Sequence, residues 1–167
     1  ASIPQEMCQV AAYFGKKVLR EVKEADVLAN LPALRQKVGD RAVLRALHFY
    51  ADDQRAVEEA DALANGEKET FLNLVKESGR SSWELLQNIT PAGAVEVQDM
   101  AVALAATEIA LKGKGACRVH GGGFAGTLQA FVPLEDVEEF KKNVESMLGE
   151  GCCHVLSIRP AGGIVLE

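Results

Sequence analysis

Gly121-Gly122-Gly123-Phe124-Ala125-Gly126 lies between two apolar, strand-like segments, Ala116-Cys117-Arg118-Val119-His120 and Leu128-Gln129-Ala130-Phe131-Val132. A run of glycines contributes no side chains to a core. It lets the backbone take positive φ and lets another group approach the main chain. Successive N–H groups in such a turn can form an anion-attracting concavity. The stretch is not a Walker loop, because no Lys-Ser or Lys-Thr follows the glycines and the next element reads as a strand. It is not a dinucleotide fingerprint either, since that motif opens a helix. A glycine-rich hairpin connection is the bland alternative.

Working outward, the preceding residues 94–112 are apolar and Ala-rich almost all round, which predicts a largely buried helix with Val97, Met100, Leu104 and Ile109 in its packing. After Pro133, residues 135–148 repeat apolar residues at helical spacing, and Glu135 and Asp136 suit the positive end of that helix. Residues 153–158 and 164–166 read as strands joined by a turn at 159–163. Nearer the N-terminus, helices are expected at 3–15 and 24–34, the second weakened at its end by Pro32. Asp40 is expected to cap a long helix running to Ala64. A further helix over 69–78 is interrupted at Gly79-Arg80-Ser81-Ser82. Residues 17–22 are β-compatible. The order is therefore a split β-α-β-β-α-β, ferredoxin-like sheet with additional helices, an α+β class, expected as a single domain over residues 1–167.

The 167 residues carry a net charge of −6, which argues against a non-specific nucleic-acid binder, and 48% are hydrophobic. No apolar run reaches membrane-spanning length, so no membrane partner is expected. Cys8, Cys117, Cys152 and Cys153 read as reduced thiols of a cytoplasmic protein. No metal site is expected. Cys117 and His120 point to opposite faces of one strand, and Cys152-Cys153-His154 lacks Cys-x-x-Cys spacing. His48 with Asp52 four residues on reads as a local helical pair. Arg45, Arg55, Arg118 and Arg159 could reach phosphates, but pairing with carboxylates is the simpler role.

Residues 115–127 together, Gly-Ala-Cys-Arg-Val-His-Gly-Gly-Gly-Phe-Ala-Gly-Thr, resemble the third motif of the sugar-kinase superfamily that contains galactokinase, homoserine, mevalonate and phosphomevalonate kinases. The Gly-Gly-Gly-Phe form is most similar to the galactokinase branch. Arg45-Ala46-Leu47-His48 with Gln54-Arg55, Gly66 to Phe71 followed by Glu77-Ser78-Gly79-Arg80-Ser81-Ser82, and Arg159-Pro160-Ala161-Gly162-Gly163 resemble further family segments in the same order.

The resemblance implies the C-terminal half of a kinase that moves the γ-phosphoryl group of ATP to the anomeric hydroxyl of galactose. It implies ATP and Mg²⁺ held mainly by an N-terminal domain lying outside this sequence. Gly121, Gly122, Gly123, Phe124 and Gly126 would then stand beside the ATP phosphates, with Ser81 and Ser82 nearby, no catalytic residue in this half, and no activity by it alone. Three residues depart from the family pattern: His120 stands in place of Thr, Ala125 of Gly and Thr127 of Cys. Gly79 stands where the family often has His. A galactokinase-like sugar sensor without catalysis and a stand-alone ligand-binding module are the alternatives.

Overall fold

The computed structural model describes residues 2–124 and 126–158. Ala125, the turn 159–163 and the strand expected at 164–166 lie outside the described residues. The described chain is α+β: seven α-helices and one two-stranded antiparallel sheet. The helices are α1 (Ser2–Tyr13), α2 (Glu24–Ala29), α3 (Leu31–Val38), α4 (Asp40–Ala64), α5 (Lys68–Ser81), α6 (Asp99–Leu111) and α7 (Val137–Leu148). The strands are β1 (Ala116–His120) and β2 (Thr127–Phe131), paired from Ala116 with Phe131 to His120 with Thr127.

Strand alternation divides the packing. Cys117 and Val119 join Leu104, Leu111, Phe140 and Val144 in a core between the sheet, α6 and α7. Ala116 packs the other way, against Leu72 and Val75 of α5, with Phe71 meeting Phe131 edge to face. A separate core gathers Val10, Val27, Leu34, Val43 and Ala46 from α1 to α4. No described helix is long and apolar enough to cross a membrane.

Several expectations are corrected. Residues 17–22 form no strand; Leu19–Glu21 is a 3₁₀ turn. The carbonyls of Leu19 and Val22 accept from the Tyr50 hydroxyl at 3.2 and 3.0 Å, and the Glu21 carboxylate accepts the Lys17 and Val18 N–H groups. Those groups are satisfied without a neighbouring strand. Pro32 does not end a helix: the chain breaks at Asn30, and Pro32 sits in the first turn of α3, where its missing N–H costs nothing. Gly39, not Asp40, precedes α4, and the Asp40 carboxylate binds Arg35 at 2.7 Å.

Helix α5 runs through Gly79 instead of breaking there, because its buried serine hydroxyls find partners. Helix α6 starts only at Asp99, leaving Val97 exposed, and Ile109 faces solvent. Residues 153–158 make no sheet ladder among the described residues, and Leu156 is 87% exposed. The central α-β-β-α order of the expected split sheet is thus present, without its outer strands among the described residues.

Candidate functional site

The glycine turn connects β1 to β2, as the flanking residues predict. Its glycines have unlike surroundings. At Gly121 and Gly122 an added Cβ would meet no described residue within 4 Å. At Gly123, with φ +76°, an added Cβ would overlap the carbonyl oxygen of Asn88 and lie 2.8 Å from its Cγ. Phe124 also has positive φ, 62°, an unusual conformation for a bulky residue. Its N–H donates to the Asn88 carbonyl at 2.6 Å. The Gly126 N–H closes the turn onto the Gly123 carbonyl at 3.2 Å. Neither Gly121 nor Gly122 donates its N–H to another described residue.

Asn88 reaches this place through an irregular stretch. After α5 the chain widens into a π-helical turn, Ser82–Leu86, closed by an i to i+5 bond from Gln87 N–H to the Ser82 carbonyl at 2.8 Å. Gln87 then takes the left-handed conformation, φ 56°. Such turns occur often at functional sites. Buried Arg45 pins this one: its Nε donates to the Leu86 carbonyl at 2.9 Å while its Nη1 pairs with Glu6 at 2.8 Å. Arg41 and Arg45 together hold the Glu6 carboxyl below its ordinary range. Asn88 is buried, and its side-chain oxygen has no hydrogen-bond partner among the described residues.

A polar network joins α4, α5 and β1. Ser78 donates to Asp52 Oδ1 at 2.6 Å, and Arg118 Nη1 donates to the Ser78 hydroxyl. Arg118 Nη2 reaches the Ser82 hydroxyl at 3.5 Å and Arg118 Nε donates to the Val119 carbonyl at 2.9 Å. Asp52 also meets Arg55 at 3.3 Å and Arg118 at 3.9 Å. His48 Nδ1 lies 2.8 Å from Ser81 Oγ, and His48 Nε2 lies 3.7 Å from Asp52. Burial pushes the His48 imidazole below its ordinary pKa against the attraction of Asp52.

The Ser81–His48–Asp52 order superficially matches a nucleophile, a base and an orienting acid. Ser81 is buried, however, and Asp52 already answers two arginines. The arrangement is a structural clasp. Ser81 and Ser82 therefore sit inside the polar network, bonded to His48 and Arg118. Arg45 and Arg55 pair with carboxylates, as the simpler reading of the sequence has it.

Burial raises the Cys117 thiol to about 12, so it is inert at neutral pH. Among the described residues no three His, Cys, Asp or Glu side chains group as metal ligands. Sequence reasoning did not find Asn88 or the partners of Arg118. The only local signal was the spacing of His48, Asp52 and Arg55 on one helical face.

The chain is 33% identical over 146 residues to a galactokinase of Mannheimia succiniciproducens, an alignment covering 83% of this chain and 34% of the relative. Over that stretch this chain is similar to galactokinases. Galactokinases of Glaesserella parasuis and Pasteurella multocida match it at 31% and 32% identity with the same coverage. The segment spans about a third of the length of these relatives, 34%. The fold of a Lactococcus lactis galactokinase, solved in complex with galactose, superposes with a TM-score of 0.64 at 23% identity. That match covers 89% of this chain and 36% of the other. No protein-family model matches the segment.

Proposed function

We propose that this segment is the C-terminal, cleft-closing part of a galactokinase, which transfers the γ-phosphoryl group of ATP to the anomeric hydroxyl of galactose. The products are ADP and the sugar 1-phosphate, with the hydroxyl proton released. The observation that carries the reading is Gly122. Its φ lies outside the left-handed region and no described residue crowds it, so the described chain gives no reason for the missing side chain. A group from outside, brought against the main chain, gives one. On this reading Gly121 and Gly122 form a wall beside the ATP phosphates. Gly123, Phe124 and Gly126 fix the shape of that wall, and Ser81 and Ser82 support it from below.

Phosphoryl transfer depends mainly on positioning and charge neutralisation. This segment supplies backbone and shape. By the family resemblance Mg²⁺ is assigned to the N-terminal domain, together with the sugar contacts and the catalytic groups. That domain is the main partner, and the whole protein is placed in the cytoplasm.

Assaying the full-length gene product for galactose-dependent ADP formation tests the reading, and robust turnover is expected. The present chain alone is expected to fold and form no sugar phosphate. Galactose binding by the full-length protein without ADP formation would move the assignment to a sugar sensor. Turnover by this chain alone would overturn it.

A further inference from the structure

We infer that Arg118 is a positioning residue, whose guanidinium, cradled by Ser78, Ser82 and Asp52, fixes where the glycine turn stands toward a bound nucleotide. The inference rests on the turn being a wall of the nucleotide cleft. It goes further by saying what holds that wall in place.

Arg118 lies on β1, three residues before Gly121. Its guanidinium joins the strand to α5 through Ser78 and to the π-helical turn through Ser82. Ser78 passes the connection to Asp52 on α4 at 2.6 Å. Gly79 makes this geometry possible: an added Cβ there would stand 3.1 Å from Arg118 Cβ and 3.4 Å from the Cys117 carbonyl oxygen. Helix α5 thus lies directly on β1, with Ser78 and Ser82, one helical turn apart, on either side of the contact.

The far side of the turn is held by the same stretch of chain. Asn88, six residues after Ser82, accepts the Phe124 N–H at 2.6 Å. Residues 78–88 therefore grip the turn before its first glycine through Arg118 and after its last consecutive glycine through Asn88. A shift of either grip moves the main chain that would face the phosphates.

The two arginines of the network do not form a phosphate site of their own. Asp52 occupies the anion position between them, 3.3 Å from Arg55 and 3.9 Å from Arg118. The guanidinium acts on the turn, not on a ligand.

Arg118→Lys and Asp52→Asn in the full-length protein test this. Lysine keeps the charge but cannot span two serines and a carbonyl. Displacement of a reacting group by an ångström can cost about a hundredfold. Arg118→Lys is accordingly expected to raise KM for ATP about tenfold or more, with KM for galactose within about twofold and the circular dichroism native. Asp52→Asn keeps an acceptor for Ser78, and a smaller rise in KM for ATP, about threefold, is expected. A purely structural role would lower the active fraction, reducing kcat and leaving both KM values alone. Folded Arg118→Lys with an unchanged KM for ATP overturns the inference. Should that variant fail to fold, an unchanged KM for ATP in Asp52→Asn does so instead. Gly122→Val separates the two layers: if it disturbs ATP use while Arg118→Lys does not, this inference alone fails, and if neither does, the cleft reading fails with it.

Discussion

Gly122 and Gly123 are adjacent in the chain and opposite in circumstance. Gly123 has left-handed φ and sits on the Asn88 backbone, so its own fold demands glycine there. Gly122 has neither constraint. A sequence motif shows three equivalent glycines; the structure shows that one is internal hardware and another is surplus to the fold. The uncrowded one is the informative position, because on the proposed reading its glycine answers a group that binds.

The sharpest break in that comparison is expected from Gly123→Ala. Left-handed backbone costs a non-glycine residue roughly 1–2 kcal/mol, and forcing in a methyl adds about 1–3. The chain should lose about 3 kcal/mol or more, read as an urea-midpoint shift. Trimming Asn88 to Ala should not rescue it, since the clashing oxygen belongs to the main chain. Arg45→Ala comes next. It unpins the π-helical turn that carries Asn88 and leaves the Leu86 carbonyl without its donor, a loss of about 1–3 kcal/mol.

A smaller effect is expected from pH. The folded His48 pKa lies below its ordinary value of about 6.5, so below that pH the unfolded chain binds more protons than the folded one. Its contribution is complete above pH 6.5 or so and is lost as pH falls through the folded pKa. Thermal midpoints should therefore decline from pH 7.5 toward 5.5, and His48→Gln should flatten that part of the slope. The smallest effect belongs to Gly122→Ala, whose stability should stay within about 0.5 kcal/mol of the parent. A large loss there would erase the contrast.

Much of this was legible beforehand for identifiable reasons. The bounds of β1 follow from an apolar run stopped by glycines, and α4 follows from a long helical stripe ended by Asn65-Gly66. Local pattern misled wherever a distant group decided the outcome. Tyr50, far along the chain, satisfies the carbonyls that would have made residues 17–22 a strand. The Ser-rich segment 78–82 reads as a break because serines favour caps. Arg118 and Asp52, brought in by the fold, make them good interior helix residues instead. Asn88 had no signal, because the group that binds the turn is its main-chain carbonyl, which every residue carries.

The most direct measurement is steady-state kinetics of full-length Gly122→Val beside its thermal midpoint. The account predicts a midpoint close to the parent's, with KM for ATP raised or kcat lowered by about tenfold or more. Unchanged kinetics in a stably folded variant would contradict it and leave the glycine turn as a connection between two strands.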